Sequence, residues 1–510
     1  MDKPRMDKPG AFVDDRAPSH DGVRGRPVID LRPVLFVVGL FLAILAVGMC
    51  LPLIADLATD DPDWTVFAAS AAITLFVGGS LSLAYRPIGQ FDLSVRQAFL
   101  LTTLVWSSTA AFGALPLAMS RIDLSYADAV FETMSGLTTT GSTVIVGLDA
   151  APAGVLLWRG VLQWMGGIGI VVMAAAILPF LRIGGMQLFR TESSDRSDKI
   201  VASVTQLSIA IVGLYTGFTV VCTFMLMGVG MSAFDAAIHA AAAVSTGGFS
   251  TKDASVGHFD SVAVELILVV FMVLGGATAT LFLQIPNGRF RQFWIDSQTR
   301  WYLGMLGAGT LVVAAWQWWM NGHTVLRALR DGLFNVVSIV TTTGFATADY
   351  TTWGPLPNVV FFFLTFVGGC TGSTSGAVKL FRLMVFGAVI RAQFIRLIHP
   401  RAAMQPSYDG RPIDEGVLSS VLTFVMLYGV TFAVLACGLG ATGLDLVTSL
   451  SGAATALGNV GPGLGEIIGP AGNFSTLPTS AKWMLTAGML IGRLELLTIF
   501  VILTPAFWRS

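Results

Sequence analysis

The stretch "VTTTGFATADY" at residues 340–350 separates two long apolar segments with small hydroxylated residues, one glycine and two aromatic residues. A near copy, "LTTTGST", occupies residues 137–143. A chain that crosses a lipid bilayer must satisfy its backbone polar groups internally, so irregular backbone at membrane depth occurs only where protein or a water-filled cavity surrounds it. The repetition of this glycine motif therefore decides which fold the chain adopts.

The composition indicates a membrane protein with many spans. Apolar residues make up 54% of the 510 residues, charged residues make up 12%, and the mean hydropathy is +0.73. Soluble domains carry about 25% charged residues. The net charge of −1 provides no basic surface for nucleic acid, and the four scattered cysteines have no metal-ligand spacing. The polar residues 1–33 predict a disordered cytoplasmic tail without a signal peptide.

Ten apolar runs approach or exceed the roughly 20 residues that a helix needs to cross the hydrocarbon layer. If the N-terminus is cytoplasmic, the inner segments hold 23 of the 30 Lys and Arg residues. The positive-inside rule therefore predicts that both termini are cytoplasmic. The ten runs lie near 34–57, 64–85, 97–118, 154–181, 202–230, 260–287, 301–320, 357–398 (interrupted), 414–440 and 479–507.

Four outer segments each contain an apolar stretch too short to cross, followed by "TTTGST", "STGGFST", "TTTGFAT" or "GNVGPGLG". The unit of span, short helix, glycine motif and span is thus used four times. This predicts an all-α polytopic membrane protein with four repeats around a pseudo-fourfold pore axis and two extra N-terminal spans. The predicted boundaries are 1–33 for the tail, 34–96 for the extra spans, and 97–200, 201–298, 299–412 and 413–510 for the repeats.

Four glycine-bearing segments around one axis can replace the water shell of a cation with carbonyl oxygens. Short helices whose C-terminal ends point inward add negative potential there. Thr and Gly are also common where membrane helices pack together. Four copies, each after a short apolar helix on the same side, favour a cation filter over packing.

Seven segments form a recognisable set: "FETMSGLTTTGST", "AVSTGGFST", "IVTTTGFAT", "ALGNVGPGLG", "GGMQLFRTESSD", "GGCTGSTSGAVK" and "MLIGRLELLTIFVIL". Together they resemble the TrkH/TrkG potassium uptake proteins of the Trk/Ktr/HKT superfamily, over nearly all of the chain after the tail. The two extra N-terminal spans are more similar to TrkH than to the eight-span KtrB branch.

The resemblance implies a potassium-conducting subunit of the bacterial inner membrane, with K+ as the permeant ion and no organic cofactor. It also implies a homodimer with one pore per protomer and a cytosolic TrkA-type nucleotide-binding ring. Gly141 favours potassium, since sodium-preferring members often carry Ser there, and Gly248 is an alternative to Gly247. The filter residues implied by motif match are Thr139, Thr140, Gly141, Thr246, Gly247, Thr343, Gly344, Phe345, Asn459, Val460 and Gly461.

The segment "GGCTGSTSG" at 368–376 divides the eighth apolar run and predicts a loop inside the protein, because each interior glycine weakens a helix by about 1 kcal/mol. A flexible helix kink is the alternative. The resemblance implies an intramembrane gate, to which we assign Gly369, Cys370, Thr371, Gly372, Ser373, Gly376, Lys379 and Arg493.

Arg493 lies within an apolar run, where a charge needs a partner or a water-filled cavity. We expect it to face the cavity beneath the filter and to oppose cation passage. The alternative is an ion pair with Glu495 or another acid, although residues two apart on a helix do not face each other. Lys379 and Arg382 could instead mark the cytoplasmic end of the eighth span.

Other polar residues have plainer interpretations. Asp and Glu residues at the starts of the short helices are expected as caps or as attraction for cations at the outer mouth, and His239 is expected to pack. The inner segments 182–200 and 288–300 are either docking surfaces or simple topogenic loops. An enzyme is not expected, since the nucleophile and metal motifs are missing from the sequence; a sodium- or proton-coupled potassium symporter is the alternative function.

Overall fold

The protein is described by a computed structural model over residues 29–87, 93–176, 204–285, 288, 290–401 and 405–509. Nearly all regular structure in these ranges is helical. A two-stranded antiparallel hairpin pairs Ser407–Tyr408 with Arg411–Pro412. Most of the predicted tail and the whole segment 182–200 lie outside the described residues.

Six helices in the described part of the chain are long and apolar enough to cross a membrane. They are Arg32–Ala58, Trp64–Ala84, Val95–Met119, Ala153–Met173, Gln206–Gly228 and Glu415–Ala441. A seventh span is obtained if Thr479–Arg493 and Leu497–Leu503, which meet at an angle of 111°, are taken together.

The remaining three of the ten predicted spans do not meet the same criteria of length and hydropathy in the described helices. Helix Val262–Gly276 has 15 residues and ends before the short helix Ala279–Phe282. Helix Ser297–Met320 has 24 residues but is too polar to be counted. The run at 357–398 is divided between Pro355–Leu364 and Leu380–Ile398. Backbone breaks at glycine-rich segments explain why helix Val262–Gly276 is short and why the run at 357–398 is divided.

The four short helices that the repeat predicts are confirmed, and in each the C-terminal half is buried. Each begins at a residue whose side-chain oxygen accepts a hydrogen bond from a backbone N–H of the first turn, which is the usual N-cap arrangement. The helices are Tyr126–Leu137, Ala233–Val244, Val325–Val340 and Leu446–Gly458, with caps Ser125, Ser232, Thr324 and Asp445. A hydrogen bond from the side chain of Thr448 is the main reason that the pKa of Asp445 is lowered.

The two N-terminal spans pack against each other through small residues. A Cβ atom added to Gly39 would lie 2.7 Å from the carbonyl oxygen of Gly78, so the two helix backbones touch at this point. The buried carboxylate of Asp56 accepts a hydrogen bond from the backbone N–H of Gly154. This bond ties the extra spans to the N-terminus of helix Ala153–Ala176, where the helix dipole favours a negative group.

The shorter helical segments connect these elements. They are Phe290–Ile295, Gly465–Ile468 and Pro505–Arg509, together with the 3₁₀ turns Leu148–Ala150, Ser255–Phe259 and Tyr350–Trp353.

Candidate ion-conducting site

The four glycine motifs share one backbone conformation. In each motif a residue just after the short helix has a positive φ, and a glycine two positions later also has a positive φ. The first residue has φ between 51° and 60°, and the glycine has φ between 74° and 116°. The pairs are Thr139 and Gly141, Thr246 and Gly248, Thr342 and Gly344, and Asn459 and Gly461. The same backbone therefore recurs although the side chains differ.

The motifs form a closed ring in which each glycine lies against a carbonyl group of the next motif. A Cβ atom built on any of these glycines would overlap that carbonyl oxygen; for Gly461 the distance to the oxygen of Thr140 would be 2.8 Å. The glycine and oxygen partners are Gly141 with Gly247, Gly248 with Thr343, Gly344 with Val460, and Gly461 with Thr140. We call the oxygens of Thr140, Gly247, Thr343 and Val460 the carbonyl ring.

The two glycines of the second motif occupy different positions in this arrangement. Gly248 has the positive φ of 74° and lies where the other motifs have their glycine. Gly247 supplies a carbonyl oxygen at the position of Thr140 and Thr343. Gly248, which the sequence leaves open as an alternative to Gly247, is thus the glycine that matches the other motifs in backbone geometry. Thr342, which matches Thr246 in backbone conformation, is missing from the set derived from the sequence.

Side chains join the fourth motif to the first. The side-chain amide of Asn459 donates to the hydroxyl of Thr140 at 3.0 Å and to the carbonyl oxygen of Met489 at 2.9 Å. The hydroxyl of Ser142 donates to the carbonyl oxygen of Gly461 at 2.8 Å. The departure of the fourth motif from the Thr-Gly pattern is therefore accommodated by an asparagine that holds two neighbouring segments in place.

The second motif is held from behind by helix Ala153–Ala176. Gln163 donates to the carbonyl oxygen of Gly247 and accepts from the N–H of Phe249 at 3.1 Å. Arg159 donates to the carbonyl oxygen of Ser250 at 2.7 Å and to the carboxylate of Glu132 at 2.8 Å. Sequence reasoning misses this network because its directly bonded partners are up to 91 residues apart.

The pair between Arg159 and Glu132 is fully buried, with side chains 2% and 0% exposed. Removal of one partner leaves an uncompensated buried charge, which typically costs about 3–5 kcal/mol. We expect Arg159→Met to lower the thermal unfolding temperature of the detergent-solubilised protein by many degrees. Arg121→Met is the matched control, because Arg121 is 53% exposed and its pair with Asp61 should contribute less. Equal shifts in the two variants would contradict this account.

Phe345 and His239 lie side by side behind the third motif. Phe345 is fully buried, and its ring stacks on the imidazole of His239 with centroids 5.7 Å apart. The imidazole nitrogens lie 2.8 Å from the carbonyl oxygen of Asp235 and 2.9 Å from the hydroxyl of Ser250. The expected packing role of His239 agrees with these contacts.

Residues 365–379 form an irregular segment between two helices, so the predicted interruption is confirmed and a simple helix kink is not. We call residues 368–376 the glycine-rich loop. Some of its backbone N–H groups donate to other segments, which is how irregular buried backbone is satisfied. Cys370 donates to the carbonyl oxygen of Gly276 at 2.8 Å and Thr374 to that of Gly275 at 3.2 Å.

The glycine-rich loop contacts the second and third glycine motifs directly. The hydroxyl of Thr246 donates to that of Thr374 at 3.1 Å. The backbone N–H of Gly376 donates to the hydroxyl of Thr342 at 2.7 Å. The loop therefore lies against the side of the ring where Thr246 and Thr342 are found.

Two positively charged side chains, those of Lys379 and Arg493, donate hydrogen bonds to carbonyl oxygens of the glycine-rich loop. The ammonium of Lys379 donates to the oxygen of Ser373 at 3.3 Å and to that of Ser375. Nη1 of Arg493 donates to the oxygen of Thr374 at 2.8 Å. Arg493 is 3% exposed, and its Nε and Nη2 atoms make no hydrogen bond with the described residues.

Glu495 pairs with Arg382, and no acid among the described residues forms an ion pair with Arg493. Helix Thr479–Arg493 ends at the arginine, and Glu495 and Leu496 have positive φ values of 63° and 45°. This turn directs the carboxylate to another helix. The alternative interpretation of Arg493 as the partner of Glu495 is therefore wrong.

A polar cavity opens onto the carbonyl ring from the other side. Three of the ring glycines line it, together with Pro462 and the charged residues Arg159, Lys252 and Asp253. Lys252 lies 3.8 Å from the carboxylate of Asp149. The ring thus has a polar cavity on one face and the glycine-rich loop on the other.

The sequence matches a known protein family over most of its length. Residues 64–509 match the TrkH family, described as "Cation transport protein". The Trk system potassium uptake protein TrkI of Halomonas elongata is 43% identical over 94% of this chain and 97% of its own length. The Trk system potassium uptake protein TrkH of Escherichia coli K12 is 35% identical over 94% and 99%.

A solved structure gives the same result. The crystal structure of the potassium transporter TrkH from Vibrio parahaemolyticus matches with a TM-score of 0.87 and 35% identity, over 94% of this chain and 100% of that one. Both the sequence and the fold are therefore shared along almost the full length. The chain belongs to the TrkH family of cation transport proteins.

Proposed function

We propose that this protein is the potassium-conducting subunit of a Trk-type potassium uptake system, and that the carbonyl ring is its selectivity filter. One observation carries the proposal: four equivalent carbonyl groups, one from each repeat, close into a ring. Oxygens in such a ring can replace the hydration shell of a cation. The four short helices end at the ring and direct the negative ends of their dipoles towards it.

Potassium is the proposed ion because the relatives are named as potassium uptake proteins. Gly141 in the first motif also favours potassium, as the family resemblance implies. The filter would use the residues of all four motifs, with Gly248 at the glycine position and Gly247 as an oxygen donor. The cavity near Lys252 would be the outer entrance.

The glycine-rich loop and Arg493 are the proposed gate. The loop lies against Thr246 and Thr342 of the ring, where it would obstruct an ion that leaves the filter. Arg493 binds the loop, and two of its nitrogen atoms have no partner among the described residues, so no hydrogen bond to an acid in this part of the chain neutralises its positive charge. A desolvated cation at this point would repel a permeating cation.

The assembly is proposed on more general grounds. The sequence has no nucleotide-binding motif of its own, so a cytosolic TrkA-type ring would supply nucleotide sensing. The distribution of Lys and Arg supports cytoplasmic termini, and the family resemblance implies the bacterial inner membrane. A homodimer with one pore per protomer is the expected membrane form, and the predicted repeat boundaries are retained.

Radiotracer uptake into liposomes tests the proposed function. We expect purified protein to take up labelled rubidium, a substitute for potassium, much faster than labelled sodium. Rubidium uptake should persist without a sodium or proton gradient. Equal rates for the two ions would overturn the potassium filter, and a strict requirement for a second ion would favour a symporter.

A further inference from the structure

One oxygen of the carbonyl ring accepts a hydrogen bond that the other three lack. Nε2 of Gln163 donates to the oxygen of Gly247, and Oε1 of the same side chain accepts from the backbone N–H of Phe249 at 3.1 Å. Gln163 is fully buried. In the described part of the chain, the other three ring oxygens accept no hydrogen bond. The four oxygens are therefore similar in backbone geometry but unequal in hydrogen bonding.

The internal repeats show that the fold does not need a glutamine at this position. In three repeats, the helix after the glycine motif contains a glycine whose added Cβ atom would meet a carbonyl oxygen in the last turn of the short helix. These glycines are Gly166, Gly275 and Gly492. The residues three positions before them are Gln163, Met272 and Met489. Both methionines are fully buried, so an apolar side chain packs well at the equivalent position.

A hydrogen bond to a ring oxygen changes the way that this oxygen binds a cation. The amide N–H brings a partial positive charge close to the oxygen, which weakens its attraction for a cation. The two bonds of Gln163 also fix the oxygen of Gly247 relative to Phe249, so the oxygen cannot follow a smaller ion inwards.

A weakened and fixed oxygen disfavours sodium. A carbonyl ring selects among cations by its field strength or by the size of its cavity. Sodium holds its water more tightly than potassium does, so a weaker field compensates less of its dehydration. Sodium also needs shorter contacts, which a fixed oxygen does not provide. Both accounts of selectivity therefore predict the same direction.

We propose that Gln163 is a positioning residue that sets the ion preference of the filter by weakening and fixing the oxygen of Gly247. The inference rests on the proposed potassium filter. It makes the second repeat responsible for a larger share of the discrimination against sodium than its equivalent backbone suggests. A purely structural role would not need the amide, because methionine fills the equivalent position in two other repeats.

Rubidium and sodium uptake by the full-length protein in liposomes tests this role. Gln163→Met removes both hydrogen bonds and introduces the residue that the fold already accepts at the equivalent positions. We expect the rubidium-to-sodium ratio to fall about threefold, the effect of one ordinary hydrogen bond. The half-saturating concentration should fall for sodium, because the oxygen of Gly247 binds the smaller ion better without the amide, and should change little for rubidium.

Gln317→Met is the matched control. It removes another fully buried glutamine, which accepts from Asn321 and has no hydrogen bond to a glycine motif among the described residues. The rubidium-to-sodium ratio should stay at the wild-type value in this variant. An equal fall in both variants would overturn the inference, because the effect would then not depend on the ring.

Gln163→Glu separates the donated bond from the shape of the side chain. Glutamate keeps the size of glutamine and an acceptor for Phe249, but an ionised carboxylate cannot donate to the oxygen of Gly247. Its negative charge also strengthens the field at the ring. The rubidium-to-sodium ratio should therefore fall at least as far as in Gln163→Met.

The outcomes distinguish this inference from the proposed function. If the wild-type protein does not discriminate between rubidium and sodium, the filter itself has failed. If Gly344→Ser lowers the ratio but both variants of Gln163 keep it, the filter stands and the role of Gln163 is overturned. Slower uptake of both ions at an unchanged ratio would likewise overturn it, since Gln163 would then only support the fold. If Gln163→Met is not recovered folded, the ratio in Gln163→Glu decides.

Discussion

Gly344→Ser will reduce rubidium uptake by at least about tenfold and lower the ratio of rubidium to sodium uptake. Gly344 has a φ of 84°, a conformation that costs a residue with a side chain about 1–3 kcal/mol. A Cβ atom there would also overlap the carbonyl oxygen of Val460 and lie 2.9 Å from Cδ of Pro462. The serine must therefore displace one oxygen of the carbonyl ring, which would change the distances on which ion selection depends.

Gly443→Ser is the control for backbone strain. Gly443 has a φ of 91°, but a Cβ atom added there would meet nothing within 4 Å. This variant should carry a similar conformational cost while leaving uptake and selectivity intact. Wild-type selectivity in Gly344→Ser, measured with rubidium and sodium in parallel liposome preparations, would refute the assignment of the ring as a filter.

Arg493→Ala will raise rubidium uptake about tenfold in liposomes that contain no regulatory partner. The substitution removes the buried charge near the ring and the hydrogen bond to Thr374, which both oppose ion passage in the proposed gate. A tenfold increase corresponds to about 1.4 kcal/mol less barrier, a modest share of what a unit charge can impose at short range inside a protein. The rubidium-to-sodium ratio should stay that of the wild type.

Two further substitutions at this position separate charge from shape. Arg493→Lys keeps the positive charge and should keep uptake low, whereas Arg493→Gln keeps a polar side chain without charge and should behave as the alanine variant does. Size-exclusion profiles of all three variants verify that they remain folded. Equal uptake in the lysine and glutamine variants would show that the charge itself has no part in gating.

Local sequence patterns are sufficient to predict the short helices, the glycine motifs and the interruption at 368–376. Each is encoded within about fifteen neighbouring residues by cap residues, apolar runs and glycines. The family resemblance then points to the glycine motifs as the proposed site. Gly248 could be assigned to the glycine position only by aligning Thr246 of the second motif with Thr139 of the first. Both threonines have a positive φ.

Long-range contacts could not be predicted in this way. The pairing of Glu495 with Arg382 depends on a helix that ends at Arg493 and on a partner 113 residues away. The bond between Arg159 and Glu132 likewise joins two elements that the sequence presents separately. Such pairs are set by tertiary packing, which the spacing of residues along one segment does not record.

The closure of the carbonyl ring within a single chain has an evolutionary consequence. In a pore built from four identical subunits, one codon change alters all four quarters simultaneously. Here each of the four motifs is encoded by its own stretch of sequence. The fourth motif has Asn459 and Val460 where the first has two threonines. Natural variation can therefore adjust one oxygen of the carbonyl ring while the other three keep their positions, so the selectivity of the proposed filter could change one repeat at a time.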